Sequence, residues 1–139
     1  MDTLTPAPPQ AWSVAGVLLA GLSNRDFDLM AACLAPDVRF RAMLPRGPIE
    51  VTGADQTAGH FRRWFGGDDA FVVLDASVGQ IGPRIYLRWR VRMHPVDAPT
   101  DERVVEQHLF TTGNEVIRTL DLLCSGFHSP SATPTCPLP

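Results

Sequence analysis

Nine residues, Ile85-Tyr-Leu-Arg-Trp-Arg-Val-Arg-Met93, alternate between apolar and polar without a fault, and no other stretch restricts the fold so sharply. Ile85, Leu87, Trp89, Val91 and Met93 fall on one side, with Tyr86, Arg88, Arg90 and Arg92 on the other. That is the period of a strand with one buried face. Two more two-faced runs follow, Arg103 to Thr111 and Val116 to Cys124, with Thr112-Gly-Asn-Glu115 between them as a hairpin loop.

Upstream the pattern is mostly helical. Ala11 to Ser23 is apolar enough for a helix packed on most sides, and Asn24-Arg25 breaks it. Asp26 reads as the N-cap of a shorter helix that buries Leu29, Met30, Cys33 and Leu34 until Pro36 stops it. Val38, Phe40, Ala42 and Leu44 then alternate against Arg39, Arg41 and Met43. Pro45-Arg-Gly-Pro48 is a turn into a short strand, Ile49 to Thr52. Thr57, His60, Phe61, Trp64 and Phe65 return to the helical period, closed by Gly66-Gly67, and Phe71 to Val78 is strand-like. Helices early and strands late give an α+β domain with helices on one face of a curved sheet. At 139 residues there is room for one domain. It is expected over 11–127, between Pro-rich tails at 1–10 and 128–139.

Charge excludes several roles. All twelve basic residues are Arg and the formal net charge is −3, so nothing draws the chain to nucleic acid or anionic membrane. The Arg88, Arg90 and Arg92 stripe has phosphate-like spacing but only Tyr86 beside it to stack on a base. Pairing with cross-strand acids such as Asp101 or Glu102 is the expectation. No secretory leader or membrane span is evident. Three cysteines without close spacing indicate a reducing cytoplasm, with Cys33 and Cys124 as small core residues. The histidines His60, His94, His108 and His128 are scattered, Glu106-x-His108 supplies only two ligands, and no phosphate-binding or dinucleotide fingerprint occurs. No metal or cofactor is expected.

The last hairpin carries the candidate chemistry. If its loop has four residues, Phe110 lies opposite Ile117, His108 opposite Thr119 and Glu106 opposite Asp121, all on one face. Two buried carboxylates repel, so one pKa would rise and give a proton donor beside an acceptor. The alternative is that this face is simply the wet side of the sheet, the core lying under Val105, Leu109, Leu120 and Leu122.

This element order, with Leu34-Ala-Pro-Asp-Val-Arg-Phe40, Thr52-Gly-Ala-Asp55 leading to Phe61-Arg-Arg-Trp-Phe65, and the hairpin from Gln107 to Phe127, resembles the nuclear transport factor 2-like superfamily, its SnoaL-like branch above all. The resemblance implies a cone of three helices on a strongly curved, mostly antiparallel sheet of about six strands. Such a cone encloses an apolar pocket, and many of these proteins dimerise through the sheet. Ketosteroid isomerases of this superfamily place a base where this chain has Ala42-Met43, and limonene epoxide hydrolases place an Arg-x-Asp where it has Arg88-Trp89-Arg90. SnoaL-like polyketide cyclases use an Asp on the last strand and a His on the one before, positions matched by Asp121 and His108.

The resemblance therefore implies a cofactor-independent bacterial enzyme of secondary metabolism that works next to a carbonyl, as a cyclase, isomerase or dehydratase. Asp121 would be the base, and Glu106 or His108 would donate to the enolate. His60, Phe61, Trp64, Trp89, Phe110 and Phe40 would line the pocket around a small apolar, carbonyl-containing ligand. The alternatives are a non-catalytic ligand-binding or dimerisation module of the same fold, and an epoxide-opening enzyme.

Overall fold

The computed structural model describes residues 9–67 and 69–130. Its elements run α1 (Pro9–Ser23), α2 (Phe27–Ala32), β1 (Leu34–Leu44), β2 (Gly47–Thr52), α3 (Ala54–Phe65), β3 (Ala70–Ile81), β4 (Arg84–His94), β5 (Arg103–Thr112) and β6 (Ile117–Cys124). The six strands form one curled, unclosed sheet in the order β2-β1-β6-β5-β4-β3. Every neighbouring pair is antiparallel except β1 and β6, which run parallel. All three helices pack on one face of the sheet, giving an α+β cone.

Burial follows the alternation. On β4, Ile85, Leu87, Trp89, Val91 and Met93 are buried beneath the helices, while the intervening Tyr86, Arg88, Arg90 and Arg92 are turned to the outer face. On α1 the buried positions Ala11, Val14, Ala15, Leu18 and Leu22 make a single helical stripe facing the sheet. In α3, Thr57, Ala58, Phe61 and Phe65 are buried and Arg62 and Arg63 point out. A bulge between Val73 and Asp75 reverses the parity of β3: Phe71 and Val73 face inward before it, Ala76 and Val78 after it.

Arg25 ties the elements together at one end. It stands at φ 53, in the left-handed region, in the turn between α1 and α2. Its guanidinium donates to the carbonyls of Phe65, Gly67 and Asp69 at 3.4, 3.3 and 2.9 Å and lies over the Phe71 ring. A cation thus meets the carbonyl end of α3, where the helix dipole favours it.

Several expectations need correction. Asp26 caps α2 through its side chain and Leu29 N at 3.1 Å, but Leu29 itself is 38% exposed: the helix has only six residues, and Phe27 and Met30 already fill its inward face. Pro36 does not end that helix; it lies inside β1, whose start at Leu34 pairs with Ile117 ahead of an irregularity. Helix α1 begins at Pro9, and His128 is bridged to Val104 by backbone hydrogen bonds of 2.7 and 2.9 Å. Residues 1–8 and 131–139, including Cys136, lie outside the described residues.

Candidate functional site

Among the described residues, two polar side chains are buried on the inner face of the sheet, both on β5: Thr111, whose hydroxyl donates to the Ile85 carbonyl, and Gln107. Gln107, from the middle of β5, is fully buried, and its Oε1 accepts from Trp89 Nε1 at 3.0 Å. Its Nε2 donates to the Sγ of Cys124, the residue directly opposite on β6, at 3.4 Å. Aromatic rings from other elements close around this strip. Phe65 of α3 stands edge-on to Trp89 with centroids 5.1 Å apart, Phe71 of β3 is 5.9 Å from Trp89, and Phe127 is 6.1 Å from Phe65. Trp89, Phe61, Phe65 and Phe40 are at most 1% exposed, whereas Phe127 is 39% exposed and Trp64 half-buried. The end of the cone at Phe127 and Trp64 is therefore where its aromatic lining reaches solvent.

His60 lies on the same helix one turn before Trp64. Its ring sits 6.0 Å from Phe40 and 5.8 Å from Trp64, in a half-buried position and without a hydrogen bond among the described residues. Partial burial, reinforced by the nearby Arg63 charge, lowers its pKa below the ordinary imidazole value. It is a neutral imidazole among aromatic rings, able to accept or donate one proton.

The carboxylates are elsewhere. Glu106, His108 and Asp121 do share a face, together with Phe110, but it is the outer face, away from the helices. The expected pairing of Glu106 with Asp121 is also wrong. The ladder begins at Thr112 opposite Thr119, which sets Phe110 against Asp121 and His108 against Leu123. Gly113, at φ 112, makes the sharp bend, and residues 113–118 stand outside the ladder, so the loop is longer than four residues. Because the slip is even, faces are kept and partners lost. Glu106 exchanges hydrogen bonds with Ser125 instead, which leaves Asp121 four residues or about 13 Å along its strand.

Asp121 is held by two cations. Arg41 Nε and Nη2 donate to it at 2.8 and 3.0 Å, and Arg84 Nη2 donates at 2.7 Å. The Arg41 hydrogen bonds, seconded by Arg84, outweigh partial burial and hold its pKa below the usual carboxylate value. Such a group is a weaker base than a free aspartate, the opposite of what the sequence led one to expect. His108 lies in a different set: its Nε2 is 2.6 Å from Glu106 Oε2 and its Nδ1 2.5 Å from the Tyr86 hydroxyl.

The candidate residues are thus divided by the sheet. Phe40, His60, Phe61, Trp64 and Trp89 gather on the helix side, while Glu106, His108, Phe110 and Asp121 lie on the far side. Among the described residues, the carboxylates borne by strands (Asp37, Glu50, Asp75, Glu106 and Asp121) are exposed or on the outer face, and the inner face holds none. Within the arginine stripe Arg88 pairs with Asp75 and Arg92 with Glu102, whereas Asp101 is taken by Arg103, outside the stripe, and Arg90 makes no ion pair among the described residues. No cluster of three metal-ligating side chains occurs among the described residues. Sequence reasoning gave no role to Gln107, Arg41 or Arg84, and weighed Tyr86 only as a stacking ring, not as the partner of His108. The signal for Gln107 was available: it interrupts the apolar face between Val105 and Leu109.

The outer face also carries a groove of about 460 Å³, lined by Arg41, Met43, Pro48, Glu50 and Asp121 among others. Cys33 is inert core, its thiol raised to about 11 by burial. No described helix is long and apolar enough to cross a membrane.

Residues 17–122 match the SnoaL-like domain family. No curated protein is similar enough in sequence to match. Among solved structures, an LEH-like epoxide hydrolase from M. tuberculosis is 19% identical, with 83% of this chain and 82% of that one covered at a TM-score of 0.61. A protein from Xanthomonas campestris described as a polyketide cyclase is 18% identical, with 82% and 89% covered and a TM-score of 0.61. One from Kribbella flavida described as a ketosteroid isomerase is 19% identical, with 94% and 88% covered and a TM-score of 0.58. At these identities the likeness carries the cone and not the chemistry.

Proposed function

Since this chain belongs to the SnoaL-like domain family, we propose that it binds a small, mostly apolar molecule at the aromatic end of the cone, between α3 and the inner face of β4 to β6. The observation that carries this reading is the division of side chains by the sheet. On the inner side Trp89 bonds the buried Gln107 carboxamide, Phe65 packs on Trp89, and Phe127 and Trp64 continue the rings from Phe65 toward solvent, an apolar surface with few polar groups of the kind small-molecule sites use. A general base at Asp121 would lie on the other side of the sheet, tied to two arginines.

The enzymatic version of this reading moves the base to His60. A neutral imidazole without a hydrogen bond can take a proton from the carbon beside a carbonyl, the step that cyclases, isomerases and dehydratases have in common. A bacterial source fits the Arg-only, Ala- and Pro-rich composition, and a place in secondary metabolism rests on the family likeness alone. The outer face fits a second copy of the chain. Met43 and Leu123, neighbours across β1 and β6, are each 52% exposed, and the charges around them alternate in sign.

Calorimetric titration with 1-indanone tests the site. Binding is expected to saturate, to weaken at least about tenfold in Trp64→Ala, a loss of the size that follows when an aromatic wall is removed, and to be unchanged in Asp121→Asn and Glu106→Gln. Loss of binding in the two carboxylate variants with retention in Trp64→Ala would return the site to the outer face. Light scattering tests assembly: a dimer that becomes monomeric in Leu123→Arg is the expected result, and a monomeric unsubstituted protein contradicts it.

A further inference from the structure

Three buried polar side chains occur among the described residues, and two are fully accounted for by backbone carbonyls: Thr57 Oγ1 donates to Gly53 and Thr111 Oγ1 to Ile85. Gln107 is the exception. A carboxamide has two N–H donors and a strong acceptor oxygen, and when fully buried it normally engages them all. Here the acceptor is used well, by the Trp89 indole, but the donor side meets only a thiol sulfur, a weak acceptor, at 3.4 Å. The indole N–H can only donate, so it fixes the amide with its oxygen toward Trp89 and its NH2 toward Cys124. The donor is therefore oriented in advance and held by a packed aromatic ring, while the acceptor in front of it is a poor one.

We propose that Gln107 recognises the oxygen of a carbonyl-bearing ligand, the Cys124 thiol standing in as acceptor until that oxygen replaces it. This rests on the binding site proposed above and adds the group that gives it selectivity. Position supports it: Cys124, directly opposite Gln107 on β6, is half-buried, whereas Gln107 itself is fully buried, so the thiol is the more accessible of the two. A ketone oxygen accepts more strongly than a thiol, so the exchange improves the amide's hydrogen bonding inside a water-poor interior. A hydrocarbon of the same shape would gain the aromatic contacts without that exchange.

Calorimetry with 1-indanone and indane, matched except for the carbonyl, together with the infrared carbonyl stretch of bound indanone, tests this. The unsubstituted protein should prefer the ketone by about tenfold, one buried hydrogen bond's worth, and shift the stretch to lower frequency. Gln107→Leu should bring the preference close to one and return the stretch to its value in an apolar solvent, with indane still bound. Cys124→Ser, which supplies a better competing acceptor, should lower the ketone preference, and Cys124→Ala, which removes the competitor, should raise it. These two variants keep the test decisive if Gln107→Leu does not fold. Equal binding of both compounds, or a ketone preference indifferent to Gln107 and Cys124, overturns the role of Gln107 and leaves the aromatic site standing. If neither compound binds, the aromatic site falls and this inference with it.

Discussion

Asp121 shows how one side chain's surroundings decide its chemistry. Two guanidiniums at 2.7 to 3.0 Å stabilise its ionised form in the folded chain and have no counterpart once the chain unfolds. Its pKa is therefore lower folded than unfolded, and the stability it contributes is complete above the ordinary carboxyl value of 3.8 and is lost as pH falls through the lowered one. Urea unfolding between pH 6 and pH 2 should show a steeper loss of stability on the acid side in the unsubstituted protein than in Asp121→Asn. Parallel curves would mean that the arginines contribute nothing to folding through this carboxylate. His60 is shifted in the same direction for a different reason, since burial disfavours its charged form. Its neutral form is favoured, so its contribution falls as pH drops below the ordinary imidazole value of 6.5.

Among elements, the β5 to β6 hairpin separates what the sequence could say from what it could not. Alternation assigns Ile85 to Met93 of β4 to their correct faces, because a period of two leaves no freedom once one side is apolar. The same reasoning put Glu106, His108, Phe110 and Asp121 together on one face, correctly. It could not choose between registers that differ by an even slip, since all of them bury the same residues; the bend at Gly113 makes that choice. Which side of the sheet the helices cover was equally hidden, because Phe110 and Leu123 gave the outer face an apolar look that the short final strands do not resolve. The bulge in β3 left no mark in the pattern. At Gly113 an added Cβ would run into the Val116 carbonyl and the Arg118 backbone at a φ that side chains avoid. Gly113→Ala should thus cost about 1 to 3 kcal/mol in urea unfolding; a cost near zero would show that the loop has other ways to close.

Across the whole molecule, the open sheet has two unlike edges. Strand β2 is short and carries Pro48 and Glu50, features that discourage a further strand, whereas β3 has twelve residues with one charge, Asp75, and shows Val72, Leu74 and Ile81 at 46, 41 and 58% exposure. Val72→Lys should raise the temperature at which heated protein begins to scatter light while leaving its urea midpoint within about 0.5 kcal/mol of the original, as surface changes do. Unchanged scattering would clear this edge of blame.

The parallel seam between β1 and β6 has a consequence for how the molecule comes into being. Phe40 lies beside Leu120, so β1, second from the edge of the sheet, finds one of its two neighbours only after nearly the whole intervening chain has been made. The first half can fold back on itself as a β1 to β2 hairpin and the second half as a meander, yet neither closes the aromatic end alone. Bringing such distant segments together costs loop entropy before any contact rewards it. The joining of these two halves is thus expected to be the slow step of folding, with β1 keeping one row of backbone groups open to another strand until it is complete.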